Sequence, residues 1–464
     1  MNKVRLVSSS TNAILIKQRN TSIKRKTDMY IIEVYRESNK ATGRNAQFAT
    51  GHARYDALVL DARLRQSLMT VRSLGSRGLR IAALETCDDA PAFSSRWCQQ
   101  KLVCPADEGT KDYLRYLEHV LDCTGARVLI PSSDGTIALI RQHREQLEQR
   151  VRIALAKEPA LGIAINKEQT LEVARRLGLG VPRGVTVREV SEVEAALREI
   201  GLPAVVKPTE SWVSDEQQGS RIASKLVTTP EEARRAVEEL TCFGGIVLFQ
   251  QFLSGRCEAV GFLYANGQVY ARFAQWARRI NPPLGGTRVL GQSIALPSDT
   301  GEQAERLVRE IELEGYSLVE FRRDSAGKPY LMEINPRLNA GVELAVRAGV
   351  DFPYLLYRWA NGDHIDVVKS YRVGGWMRHL GDDIATTAAS MRQRGRPGVT
   401  PPARAMLEFC ASFFVPMRYD YLDWRDPVPA CVATIGWVRD VPKLIRSASS
   451  RRNTPRSMVP DAQG

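Results

Sequence analysis

Two carboxylates and an amide lie close together in the segment Ser317-Leu-Val-Glu-Phe-Arg-Arg-Asp-Ser-Ala-Gly-Lys-Pro-Tyr-Leu-Met-Glu-Ile-Asn-Pro-Arg337, at Glu320, Glu333 and Asn335. Two strand-like arms flank Asp324-Ser-Ala-Gly327, a turn composition, so the segment reads as a β-hairpin. Alternation along a strand puts Glu333 and Asn335 on one face and Ile334 on the other. Folding back about the turn brings Glu320 within about a residue of Glu333 on the facing arm. The pattern leaves no basic residue between them. Like charges held that close repel, and a carboxyl pKa rises unless a cation sits there. Hard oxygen ligands too few to cage an ion alone suit magnesium completed by water and nucleotide phosphates. Pro336 stops the strand, and Arg337 beyond it can reach a phosphoryl oxygen. The competing reading is a solvent-facing acidic stripe paired with Arg323 and Lys328.

Val319-Glu-Phe followed thirteen residues later by Glu333-Ile-Asn-Pro-Arg337 resembles the metal-binding end of the ATP-grasp superfamily, which includes carbamoyl-phosphate synthetase, biotin carboxylase and the D-alanine ligases. The resemblance implies that Glu320, Glu333 and Asn335 bind one or two magnesium ions (manganese as a substitute) and that Arg337 contacts phosphate. It also implies nucleotide-binding lysines at Lys167, in Asn166-Lys-Glu168, and at Lys207, which ends Ala204-Val-Val-Lys207 before a loop over the phosphates. Ile246-Val-Leu-Phe-Gln250-Gln251-Phe252-Leu253 resembles the strand and hinge that hold adenine through main-chain groups near Phe252 and Leu253. Gln250 and Gln251 stand where the family often has acids. Gly255-Arg-Cys-Glu258 resembles the segment whose Glu binds the ribose hydroxyls, with a surface ion pair as the alternative for Glu258. Gly285-Gly-Thr-Arg288 lies where the family places an Arg that steadies the transferred phosphoryl group, with a surface ion pair again as the alternative for Arg288. The loop Thr209 to Arg221 departs from the pattern: it has one glycine where carboxylases and carbamoyl-phosphate synthetase have several. Fewer glycines leave fewer backbone N–H groups to wrap phosphate and make a stiffer lid, which argues against both of those activities.

The elements that must position these residues fall into two patterns. From Tyr55, Ala57-Leu-Val-Leu-Asp61 reads as a buried strand, Leu64 to Leu74 as an amphipathic helix and Leu79 to Leu84 as the next strand. That is a βαβ unit, so an open parallel α/β sheet is expected over 55–160, the pre-ATP-grasp domain in the family's terms. The first βα turn lacks glycine, so the dinucleotide fingerprint is absent. Asp61 and Asp134 follow strands, where ligands of such sheets sit, although capping a turn is the plainer role for each. Over 161–365 the pattern becomes mixed α+β with antiparallel sheet, as the ATP-grasp fold requires. It includes a capping box with Pro at N1 in Thr229-Pro-Glu-Glu232. Residues 366–437 carry an aromatic run (Phe409, Phe413, Phe414, Tyr419, Tyr421, Trp424) and read as an accessory region that caps the site, packs as a subdomain or docks on a partner.

The 464 residues carry a net charge of +13, but residues 1–54 hold +8 of it and residues 437–464 hold +4, so the body is nearly neutral. Residues 1–54 fit a disordered extension, a start placed upstream of the ordered chain, or a transit peptide; 438–464 reads as a disordered basic tail. The eight cysteines are scattered without metal or redox spacing, which fits reduced thiols and a cytoplasmic location. No apolar run reaches the roughly 18 residues of a membrane span. No protein nucleophile motif is visible, and electrostatic stabilisation of a moving phosphoryl group needs none. The expected function is an ATP- and magnesium-dependent carboxylate–amine (or carboxylate–thiol) ligase acting through an acyl phosphate. Its partners would be a small carboxylate and an amine, with homo-oligomers allowed and no nucleic acid at the core. The alternatives are a nucleotide-binding protein with a degenerate site, and nucleic-acid binding by the basic ends.

Overall fold

The computed structural model describes residues 54–214, 219–242, 245–283 and 286–450, the side chains of 213–214 and 441–450 aside. The expectations for residues 1–53, for Gly285 and for residues 451–464 of the basic tail therefore lie outside the described residues.

A parallel five-stranded sheet comes first: β1 (Ala57–Val59), β2 (Ile81–Glu85), β3 (Cys98–Val103), β4 (Val128–Ile130) and β5 (Arg152–Ile153), in the order β3-β2-β1-β4-β5. Helices α1 (Arg65–Gly75), α2 (Lys111–Thr124) and α3 (Asp134–Gln142) connect its strands. Strands β1, β2 and β4 are buried on both faces, which is why Ala-Leu-Val and Val-Leu-Ile are continuous apolar runs rather than alternating ones. The strand order reverses between β1 and β4, so Asp61 and Asp134, each just past a carboxyl end there, lie at the switch point of the sheet.

Helix α4 (Lys167–Arg176), capped by Asn166, leads to an antiparallel sheet of order β10-β7-β11-β6. Its strands are β6 (Gly184–Val187), β7 (Ala204–Pro208), β10 (Lys225–Val227) and β11 (Val247–Gln251), with a separate two-stranded ribbon, β8 (Trp212–Ser214) and β9 (Gly219–Arg221), between β7 and β10. Helices α5 (Val193–Ile200) and α6 (Pro230–Thr241) cover it with one apolar face each. The capping box at Thr229 forms on one side as expected, its Oγ1 accepting from Glu232 N; Glu232 instead reaches one residue further back, to Thr228 N and Oγ1.

The third sheet has seven strands in the order β16-β15-β12-β13-β14-β17-β18, all antiparallel neighbours except the last pair. They are β12 (Cys257–Ala265), β13 (Gln268–Asn281), β14 (Thr287–Ile294), β15 (Gly315–Arg323), β16 (Pro329–Asn335), β17 (Trp376–Arg378) and β18 (Arg418–Tyr419). Around them lie α7 (Ser298–Glu310), α8 (Val342–Ala348), α9 (Phe352–Asn361), α10 (Leu380–Arg392), α11 (Pro402–Ala411) and α12 (Val428–Ser450). A parallel α/β sheet followed by antiparallel sheets is the architecture expected from the sequence. Two boundaries differ from those read from composition. β17 and β18 extend the large sheet, and α12 runs across residue 438. Arg378, fully buried on β17, explains the first: its Nε donates to Asp383 Oδ2 at 2.6 Å while Arg279 of β13 holds both oxygens of the same carboxylate. No helix among the described residues is long and apolar enough to cross a membrane.

Candidate active site

The hairpin β15–β16 forms as its composition demands. Gly327 takes the left-handed conformation (φ 84°), donating its N–H to Asp324 O, while Asp324 Oδ1 accepts from Ala326 N and Lys328 N at 2.9 Å each. Glu320 stands directly opposite Glu333. Beyond that pair the register shifts, Phe321 facing Leu331, so Met332 is the extra residue of a β-bulge. Asn335 Nδ2 donates to Glu320 Oε1 at 3.0 Å and to Glu333 Oε1 at 3.2 Å, which ties the three side chains into one group.

Burial, and then the charge of Glu333, push the Glu320 carboxyl up to about 8. Burial acts on Glu333 in the same direction, but Lys167 and Lys207 outweigh it and hold that carboxyl below its ordinary value. The two partners of one repulsive pair are thus driven apart, one kept ionised and one kept neutral. Burial also pulls the Lys207 ammonium down to about 8. Lys167, at the first turn of α4, is buried, with Nζ donating to Ser211 Oγ at 2.9 Å and 3.9 Å from Glu333 Oε2. The hairpin itself places no basic residue between the carboxylates, and two lysines approach them from other elements. Arg323 and Lys328 do not pair with them. Arg323 binds Asp299 and Glu258, and Lys328 lies over the Tyr330 ring. Among the described residues no group of three or more His, Cys, Asp or Glu could hold a metal ion, so a cation at Glu320 and Glu333 needs further ligands from elsewhere.

The parallel sheet contributes the opposite wall. Asp134 Oδ1 accepts from Arg337 Nε at 2.7 Å, and Arg221 Nε of β9 lies 3.3 Å from Oδ2. Burial would raise the Asp134 carboxyl; these guanidinium groups outweigh it and lower it. Asp61, in the left-handed region at φ 59°, is buried, its Oδ2 accepting from Ser132 N at 2.7 Å and Thr136 Oγ1 at 3.0 Å. Burial, then Glu108, push it up to about 8. Neither Asp merely caps its own turn. The cleft between the walls is lined by Asp134, Lys167, Glu210, Trp212, Glu333 and Asn335.

The sequence family described as "ATP-grasp in the biosynthetic pathway with Ter operon" matches residues 247–375, the stretch that carries β11 through most of the large sheet. The chain belongs to the ATP-grasp superfamily. It is 28% identical over 215 residues to the D-alanine–D-alanine ligase of Alkalilimnicola ehrlichii, a match covering 42% of this chain and 65% of that one. It is 23% identical over 401 residues to the carbamoyl phosphate synthase large chain of Thermus thermophilus, covering 82% of this chain and 36% of that one. The chain thus spans less than two thirds of the length of either relative. In fold it is similar to biotin carboxylase from Campylobacter jejuni in its β-γ-ATP complex, with a TM-score of 0.58 and 16% identity over 70% of this chain and 75% of that one.

The remaining positions singled out by the ATP-grasp resemblance are only partly brought to this group. Gln250 is buried in β11 between Val205 and Gly184, and Gln251 Oε1 accepts from Arg183 Nε at 2.9 Å. Phe252 N makes a long 3.4 Å bond to Pro203 O, and Leu253 O accepts from Arg322 Nη1 at 2.9 Å. Arg322, which the sequence did not single out, therefore ties the hinge to the strand that bears Glu320. Glu258 faces away. Ala259 pairs with Glu320 and Glu258 with Phe321, so Glu258 projects from the opposite face of the sheet, where Arg256 and Arg323 bind it at 3.1 and 2.8 Å. The ion-pair alternative describes it, although Glu258 itself is buried. Arg288 sits on β14, three strand spacings or about 14 Å from β15. It is buried, donating to Met377 O and Ala340 O with Asp420 Oδ1 at 3.8 Å.

The loop between β7 and β10 has its own construction. On the β8–β9 ribbon the indole of Trp212 covers Gly219, leaving no room for a Cβ there. The lone glycine of the loop thus serves aromatic packing. The same indole lies against the parallel sheet, where a Cβ on Gly135 would fall 2.7 Å from it and would also collide with Glu108. Trp212 gave no signal in the sequence because Gly109 and Gly135, the glycines it covers on that side, are far away in the chain.

Proposed function

We propose that this chain is an ATP- and magnesium-dependent ligase that joins a small carboxylate to an amine, or to a thiol, through an acyl phosphate, releasing ADP and phosphate. The observation that carries the reading is the convergence of Glu320, Glu333 and Asn335 with Lys167 and Lys207. The donor set fits a cation. Glu320, pushed up to about 8 beside the ionised Glu333, holds a proton where a cation would sit, and Asn335 would offer Oδ1 after a half-turn of its amide. Magnesium there would neutralise charge on the phosphates and orient them. Lys167 and Lys207 would serve as point charges on phosphate oxygens, and the hinge at 250–253 would hold the base through main-chain groups. Arg337, whose charge acts on both Glu320 and Glu333, would steady the γ-phosphoryl group while Asp134 fixes its orientation. Concentrating positive charge at the γ end favours transfer of that group to the substrate carboxylate, with ADP leaving; the amine then opens the acyl phosphate. Arg288 is not part of this proposal, since it is buried three strands away.

The decisive assay screens amino acids and small carboxylic acids for ADP release with magnesium ATP, adding hydroxylamine to trap the activated acid as a hydroxamate. ADP, phosphate and a hydroxamate are expected; AMP and pyrophosphate as stoichiometric products would refute the mechanism. The absence of Arg288 from the group favours one second reading, a nucleotide-binding protein with little turnover. It gives magnesium-dependent ATP binding without ADP release for any acceptor.

A further inference from the structure

One side chain ties the hinge at 250–253 to the strand that bears Glu320. Arg322 stands two residues beyond Glu320 on β15, so alternation puts the two on the same face of the sheet. The register agrees: Glu320 lies opposite Ala259 of β12 and Arg322 opposite Cys257, while Phe321 and Glu258 form the intervening pair. The charge of Arg322 acts on both Glu320 and Lys207, as its place on that face requires. The guanidinium is half-buried, with Nη1 donating to Leu253 O at 2.9 Å and Nη2 to Cys257 Sγ at 2.8 Å. Among the described residues it forms no ion pair. Arg323, on the other face, is the contrast: it holds Asp299 with both Nη groups and Glu258 with one. A charge withdrawn from water ordinarily recovers its solvation from an opposite charge. Arg322 turns its donors to a main-chain oxygen and a thiol instead. The main chain just beyond Leu253 also lies directly on β15, where a Cβ on Gly255 would fall 2.1 Å from Arg323 O and Arg323 N donates to Arg256 O at 3.0 Å.

This contact leaves the two main-chain groups of Leu253 in different states. The oxygen is taken by Arg322, whereas the N–H has no hydrogen-bond partner among the described residues. The two N–H groups before it are directed back into the protein, Gln251 to Arg183 O and Phe252 to Pro203 O. At Leu253 the hinge therefore offers a donor and withholds an acceptor. Adenine presents an unprotonated ring nitrogen beside its amino group, and that nitrogen accepts a hydrogen bond. Guanine and hypoxanthine carry an N–H at the same place and need an acceptor opposite it. A site whose polar group meets the wrong partner leaves both unpaired, which discriminates strongly. Resting on the reading of 250–253 as the base-binding hinge, we propose that Arg322 is a positioning residue that selects adenine. By holding the Leu253 carbonyl it fixes the hinge with its N–H open to the base and its oxygen closed to any base that must donate there.

The test measures binding, so the acceptor substrate need not be known. Dissociation constants of the full chain for ATP, GTP and ITP with magnesium, and for adenosine by displacement of a labelled ATP analogue, are compared between wild type and variants. Arg322→Met keeps most of the length and removes the charge and the donors. ATP and adenosine should both bind about tenfold more weakly, as loss of one charge-assisted hydrogen bond implies, while GTP and ITP bind as before or more tightly. The preference for ATP over GTP should thus fall about tenfold or more. Arg322→Lys keeps one donor for the Leu253 oxygen, and a single-donor contact tolerates Lys where a bidentate one does not, so it should restore the preference. Arg322→Gln is two bonds shorter and vacates the carbonyl with a polar side chain, which gives the same readout should the Met variant melt early. An unchanged preference for ATP over GTP in the folded Met or Gln variant would overturn the proposal. So would a loss confined to ATP with adenosine unaffected, since Arg322 would then be a phosphate ligand. Wild type that binds no ATP would overturn the ligase reading together with this one, whereas wild-type ATP binding that ignores Arg322 would overturn this inference alone.

Discussion

Replacing Glu320 by Gln tests the electrostatics of the hairpin without changing its volume. In the folded protein the Glu320 carboxyl holds its proton up to about pH 8, against a value of 4.5 in the unfolded chain. A group whose folded value is raised contributes stability that is fully present below the unfolded value and is lost as pH rises through the folded one. Linkage puts that loss at about 2 kcal/mol between pH 6 and pH 8. At roughly 2 cal/mol/K of unfolding entropy per residue, the melting temperature falls about 2 °C. Asp61, raised from 3.8 to about 8, adds a second loss of the same sign and similar size. Lys207, lowered from 10.5 to about 8, adds stability only above that window. Wild type should therefore lose roughly 4–5 °C between pH 6 and pH 8. Glu320→Gln should halve that slope, and Asp61→Asn should remove the other half. Magnesium ATP must displace the proton from Glu320, so its stabilisation of wild type should grow toward pH 8, while the Gln variant should show a weak and nearly flat response. Differential scanning fluorimetry across this range, with and without magnesium ATP, reads both effects. A Gln variant with the wild-type slope, or with an undiminished magnesium-dependent shift, would refute the assignment of the raised carboxyl and of the cation site.

Two further expectations follow from the lid and the large sheet. Gly135→Ala places a better helix former in the first turn of α3, which alone would stabilise that helix by up to about 1 kcal/mol. Here the added methyl meets the Trp212 indole and Glu108, so ATP affinity should fall without a gain in melting temperature. Unchanged affinity would show that Trp212 has no part in holding the lid. Asp383→Asn leaves Arg279 and Arg378 without a buried counter-charge, a loss of about 3–5 kcal/mol. Thermal unfolding should shift down by several degrees as one transition; a separate, earlier transition would mean that the chain beyond residue 365 unfolds apart from the large sheet.

What the sequence determined by itself is what short-range chemistry decides. The turn Asp324-Ser-Ala-Gly327 and the alternation on either side bring Glu320 within about a residue of Glu333, because the two arms are joined by only five residues; the bulge at Met332, which no local pattern announced, sets the two directly opposite. The parallel character of the first sheet was legible from apolar runs alternating with amphipathic helices, and the positions of α4, α8 and α9 from their periodicity. Parity was not legible wherever it depends on a distant neighbour. Glu258 follows a glycine at a plausible spacing, but its face is set by pairing with Phe321, more than sixty residues on, and a one-residue change of register would have reversed it. Arg288 was read from its place in the chain order, whereas its distance from Glu320 is set by the two strands that intervene in space. The pairing of Arg337 with Asp134, the approach of Lys167 to Glu333, and the seating of Trp212 on Gly135 join elements from different sheets. No local pattern encodes them. They arise only when burial of separate apolar faces brings those sheets together, and the same burial sets which carboxylate of the pair keeps its proton.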